Sequence, residues 1–137
     1  MAMRRTAPVL LALLLGCGTD APLQPDAVAL VGRWDLKTVN GQPLPYTDPQ
    51  VSAYKFETLS HTVTMDSRGF YKAQGHYRVT SNGHATMRVD TDSGTYSVNP
   101  PQLTISSMVT GERDVGTISG TTLTFIVPGY AFVFSKQ

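Results

Sequence analysis

The chain has one cysteine among its 137 residues and only 15% charged residues. No stretch of it keeps a helical period long enough to compete with a strand reading. A single cysteine excludes an internal disulfide and any cysteine-based zinc cluster. The formal charge is +1, so there is no bias of charge to attract nucleic acid. Long apolar runs are missing too. The one candidate, Ala7 to Leu15, would extend only about 14 Å as a helix, against a hydrocarbon core of about 30 Å. Punctuation is present instead: 12 glycines and 9 prolines cut the chain into short segments without reaching the level of a disordered protein.

Between those cuts, side chains alternate apolar and polar. Leu59 to Val98 shows it best, broken at SRG, SNG and SG. Such a period of two predicts antiparallel strands with one buried and one wet face. Val31 to Val39 opens the set with Trp34, Leu36 and Thr38 on one side. Asn40-Gly41 begins a turn, and the three prolines of Gln42 to Pro49 make a surface loop. Val51 to Glu57 admits two readings, because the apolar parity changes at Glu57-Thr58. Either one strand carries a bulge there or two strands meet.

From Leu59 onward the alternation predicts a register. His61 faces Gly75 and Met65 faces Tyr71 across a three-residue loop, Ser67-Arg68-Gly69. A three-residue loop Ser81-Asn82-Gly83 then pairs Val79 with Ala85, Tyr77 with Met87 and Gly75 with Val89. Ser93-Gly94 turns the chain again, and Asn99 to Gln102 joins Val98 to Leu103. Ser119-Gly120 brings Ile118 to Leu123, and Pro128-Gly129 pairs Phe125 with Phe132 and Leu123 with Phe134. The count is eight or nine strands, nearly all sequential neighbours. The expected fold is therefore all-β, an antiparallel meander closed into an up-and-down barrel, since closure removes both bare edges. A sandwich is the alternative.

The N-terminus carries an address. Arg4 and Arg5 precede the apolar run, which ends Leu14-Leu15-Gly16-Cys17. This describes a secretory signal over residues 1–17. Its last four residues resemble the lipobox of bacterial lipoproteins. That resemblance implies a lipidated Cys17 as first mature residue, several acyl chains for durable membrane anchoring, and the periplasmic face of an outer membrane as destination, since residue 18 is Gly. Residues 18–29 read as a flexible tether and 30–137 as the domain. Loss of Arg4 and Arg5 brings the mature chain to about −1.

Gly32-x-Trp34 on the first strand resembles the Gly-x-Trp signature of lipocalins. VNGQPLP, RGFY, GTYSV, GTISGTTLTF and YAFVFSK, in that order, resemble the lipocalin-like domains of small bacterial lipoproteins. The resemblance implies a calycin-type barrel, with Trp34 across its closed end and Lys136 over the indole. Two features depart from it: Thr91-Asp92-Ser93 stands where lipocalins carry Thr-Asp-Tyr, and the chain has no room for their terminal helix.

The expected interior, and so the candidate ligand-binding set, comprises Trp34, His61, Tyr71, Gly75, Tyr77, Met87, Tyr96, Phe125 and Phe132. His61 is the only titratable side chain that the alternation turns inward, and Gly75 opposite leaves space beside its imidazole. His76 and His84 fall outside and too far apart to share a metal ion. Every carboxylate falls in a turn, the tether or an outward position, so no acid–base pair, metal site or cofactor site is expected and the protein is not read as an enzyme. Two functions follow: carriage of a small apolar or amphipathic ligand inside the barrel, or a filled, non-catalytic envelope module acting through protein contacts.

Overall fold

The computed structural model describes residues 29–137. Ten strands follow in chain order: β1 (Gly32–Val39), β2 (Gln42–Pro43), β3 (Tyr46–Thr47), β4 (Lys55–Met65), β5 (Phe70–Ser81), β6 (His84–Asn99), β7 (Gln102–Ser107), β8 (Arg113–Ser119), β9 (Thr122–Val127) and β10 (Tyr130–Lys136). The eight longer ones form a closed antiparallel ring. β4 to β10 pair as consecutive neighbours, β10 pairs with β1, and β1 returns to β4 through Gly32↔Met65 to Asp35↔Thr62. Beyond Asp35 the two closing strands part. The two-residue β2 and β3 then line the parting edges, β2 on β1 and β3 on β4, and send Tyr46 into the core.

Closure turns one face of every strand into a shared interior. Trp34, Leu103 and Leu123 are inaccessible or nearly so, and Met65, Tyr71 and Phe134 pack with them. Burying an aromatic or large aliphatic side chain of this kind stabilises by about 1.5–3 kcal/mol, so a dozen such groups can hold a domain without disulfides.

Several registers match the alternation: His61↔Gly75 and Met65↔Tyr71, Val98↔Leu103, Ile118↔Leu123, and Phe125↔Phe132 with Leu123↔Phe134. Gly69 takes the positive φ of 87° that its turn requires. The parity change near Glu57 is a bulge inside one strand, because Leu59 is extra between Thr58↔Tyr77 and Ser60↔His76.

Three expectations are corrected. The β5–β6 turn has two residues, with Ser81 paired to His84, so Tyr77 faces Arg88 and Gly75 faces Asp90. Asn82 (φ 50°) and Gly83 (φ 77°) adopt the left-handed pair that suits a tight hairpin. The dipeptide's local chemistry prevails because residues 81–91 are exposed throughout, leaving no buried face to enforce a register. Ser93-Gly94 is not a turn: β6 runs through it for 16 residues. A Cβ on Gly94 would overlap the Ser106 carbonyl oxygen, so this glycine serves the close approach of β7. Finally, a bulge between Leu36 and Thr38 turns Val39, not Thr38, into the core.

Candidate functional site: an aromatic cup at one end of the barrel

The interior is filled unevenly. At one end Trp34 is wholly buried and its indole Nε1 donates to the Leu30 carbonyl at 2.8 Å. The Lys136 ammonium lies 5.9 Å from the indole centroid and donates to the Ala29 carbonyl, closing that end. Towards the other end a cup of about 330 Å³ remains, walled by Tyr46, Phe56, Tyr77, Tyr130 and Phe132. Phe56 and Tyr77 stack at 5.2 Å between centroids, Tyr130 and Phe132 at 5.8 Å, so the aromatic walls brace each other.

The polar groups of the cup are few and placed. Asp48, Arg88 and Asp90 line it alongside Thr58 and His61. The Tyr130 hydroxyl donates to Asp48 Oδ2 at 2.6 Å, and that bond, helped by burial, pushes the phenol up to about 12. Arg88 Nε donates to Asp90 Oδ1 at 2.8 Å. His61 stands edge-on to Phe134 at 5.7 Å, joining the cup to the filled core. Burial pushes its pKa below the ordinary value, and the charge of Asp92 opposes this only in part.

On the same inner side of β6, at the larger hollow described below, lies a hydrogen-bonded carboxylate, Asp92. Tyr71 Oη and Ser107 Oγ each donate to Asp92 at 2.6 Å, one to each oxygen. Ser107 Oγ in turn accepts from the backbone of Val109 and Thr110, so the network ties the β7–β8 connection to the barrel wall. Burial raises the Asp92 pKa, but the bonds from Ser107 and Tyr71 together outweigh it and leave the group below the usual carboxylate value. The Tyr71 phenol is pushed up, first by burial and then by this bond.

Of the residues singled out from the sequence, His61, Tyr77 and Phe132 line the cup. Gly75 lies directly under the Tyr77 ring, which a Cβ would overlap, so the space it leaves is taken by tyrosine rather than kept beside His61. Tyr71, Tyr96 and Phe125 are buried in the core. Tyr96 Oη is spent on the Asp66 carbonyl at 2.6 Å, and Phe125 packs over Gly116 and edge-on to Phe134. Met87 is 61% exposed on the outside of β6, a consequence of the two-residue turn.

The same one-residue shift brings Arg88, Asp90 and Asp92 to the inner side of β6, so His61 is not the only titratable group there and not every carboxylate points outward. Outside the cup, Glu57 is also buried, accepting from Arg78 at 2.7 Å and facing Lys55 at 2.9 Å. Tyr46, Phe56 and Asp48 were legible only as loop or uncertain strand, because their inward direction depends on the gap between β1 and β4. Cys17 lies outside the described residues. Among those residues no group of three or more His, Cys, Asp or Glu is placed to hold a metal ion.

A larger hollow of about 830 Å³ lies over the seam where β1 and β4 part. Its lining mixes charged and hydroxyl side chains of the outer faces, such as Arg33, Thr62 and Lys72, with inward Asp92 and Ala73, and it shares Leu36 and His61 with the cup. It has no aromatic wall, and the cup is the better-formed site. No protein-family model matches the chain, and no curated protein does.

Proposed function

We propose that this is a lipid-anchored envelope protein, lipocalin-like in kind, whose barrel takes up a small amphipathic molecule at its aromatic end without transforming it. The unfilled cup carries the reading. Five aromatic rings surround a cavity that the protein's own side chains leave free, while polar groups sit beside them to orient a ligand. A volume of about 330 Å³ is at the lower limit of small-molecule sites, which begin near ~300 Å³. The occupant is therefore compact, with a flat or short apolar part and one polar end, rather than a long acyl chain stretched through the barrel. The carboxylates that line it are engaged in structural bonds, Asp48 with Tyr130 and Asp90 with Arg88, which suits retention better than proton transfer. The anchor rests on Arg4-Arg5, the apolar run and the Leu14-Leu15-Gly16-Cys17 ending.

Native mass spectrometry of the protein purified from cell envelopes tests this. A co-purifying small molecule, lost in the Tyr77→Ala and Phe132→Ala variants, is the expected result. A protein that arrives empty and takes up no apolar fluorescent probe overturns the reading. The second reading, a module that acts through protein contacts, is favoured by one observation: β6 pairs with β5 from His84 onward but with β7 only from Gly94, which leaves the first part of its other edge open.

A further inference from the structure

β7 begins to pair with β6 only at Gly94↔Ser107. Among the described residues, the first ten positions of β6, His84 to Ser93, therefore have a strand on one side only, β5. The two-residue turn makes Ser81↔His84 the first hydrogen-bonded pair, so bonded pairs recur at every even-numbered β6 residue. The backbone groups of Ala85, Met87, Val89 and Thr91 consequently point away from the sheet. Ser93 belongs to the same outward series, and its carbonyl accepts from Met108 N at 2.9 Å. That loop ends the free edge at Ser93. What remains is an exposed strand edge carrying Met87 (61% exposed) and Val89 (51%) on its outer face. Exposed edges of this length are ordinarily blocked, because they template pairing with another strand.

We propose that this edge pairs with the same edge of a second copy, antiparallel about a two-fold axis through Val89. The outward backbone groups require odd-numbered residues to meet odd-numbered ones, so the axis must pass through a residue. Registers centred on Arg88 or Asp90 set like charges opposite each other. The register centred on Val89 sets Arg88 against the second copy's Asp90, and the reverse, on the inner side. It pairs Met87 with Thr91 and Val89 with itself on the outer side, joining the exposed apolar side chains into one strip. The Arg88–Asp90 pair, now closed within one strand at 2.8 Å, is thereby offered an equivalent partner across the axis. Since both residues line the cup, the two binding cups meet at this junction. This pairing does not depend on any ligand in the cup.

Cysteine trapping in cell envelopes tests it with the full chain. Val89→Cys places a thiol on the two-fold axis, where the Cα separation of a bonded antiparallel pair, about 5.5 Å, permits a disulfide. Mild oxidation is expected to give a covalent dimer that the parent protein, with Cys17 as its lone cysteine, does not give. Ile126→Cys, 75% exposed on β9, is the control and stays monomeric. In sedimentation of the detergent-purified protein, Arg88→Asp weakens self-association by roughly tenfold or more, because two like-charge pairs replace two opposite ones. Adding Asp90→Arg restores it. No Val89→Cys dimer, equal trapping at Ile126→Cys, an adduct to a different protein, or failure of the double exchange to restore association would each overturn the proposal.

Discussion

At the scale of single residues, the half-buried and buried titratable groups explain how the protein should respond to acid. His61 is favoured neutral by burial, so its pKa in the fold lies below the ordinary 6.5. Below 6.5 the unfolded chain binds a proton that the folded one resists, so this contribution to stability is complete above 6.5 and is lost as pH falls towards the folded value. Denaturant unfolding at a series of pH values should show this loss, and His61→Phe should remove it. Glu57 acts lower down. Hydrogen bonds from Arg78 and then Lys55 hold it at about 2 against an ordinary 4.5, so its contribution is present above 4.5 and disappears between 4.5 and 2. Glu57→Gln should flatten that part of the profile. Tyr71→Phe leaves Asp92 short of one donor and should cost about 1–3 kcal/mol, read from the midpoint of unfolding. None of these partners was visible from spacing. Asp92 meets Tyr71 across 21 residues and Glu57 meets Arg78 across 21, through pairings that depend on a bulge and a turn.

At the scale of strands and turns, the same residue type answers to different constraints. Gly83 has positive φ and open space around its missing Cβ, so Gly83→Ala costs only the backbone strain, about 1–2 kcal/mol. Gly94→Ala collides with the backbone of β7 and should cost about 3 kcal/mol, with weakened amide protection along the β6–β7 ladder. Comparing the two melting temperatures checks the distinction. Alternation served well in the buried hairpins β4–β5 and β9–β10 and at the Val98↔Leu103 pair, and failed on β1 only past its bulge. It misled over Ser81 to Thr91, where all residues are exposed and no core penalises a slip. There the Asn82-Gly83 turn alone determines the register, and that one-residue difference moves Met87 outward and Arg88 and Asp90 to the cup.

At the scale of the whole molecule, closure of the ring decides where a ligand could go. Because β1 meets β4 only through Gly32–Asp35, the ring is sealed around Trp34 and parted around Leu36 to Val39. The sealed half is filled and the parted half keeps the cup. A Trp34→Ala variant should lose about 3–5 kcal/mol and unfold as a unit, since its indole is inaccessible and its Nε1 is bonded to Leu30. The proposed membrane attachment belongs to a different part of the chain. Cys17→Ser should leave the circular dichroism of the barrel unchanged and release the protein from the membrane pellet. Unchanged sedimentation with membranes would rule out the lipid anchor.

By itself the order of residues was enough for the all-β class, the closed meander and most pairings. A period of two against a shared interior leaves one consistent register for each buried hairpin. The cup, the bonded carboxylate of Asp92 and the open edge of β6 were settled only by tertiary structure. Each arises where strands separate, bulge or run past their neighbours, and there a side chain's direction depends on contacts distant in the chain rather than on its own alternation.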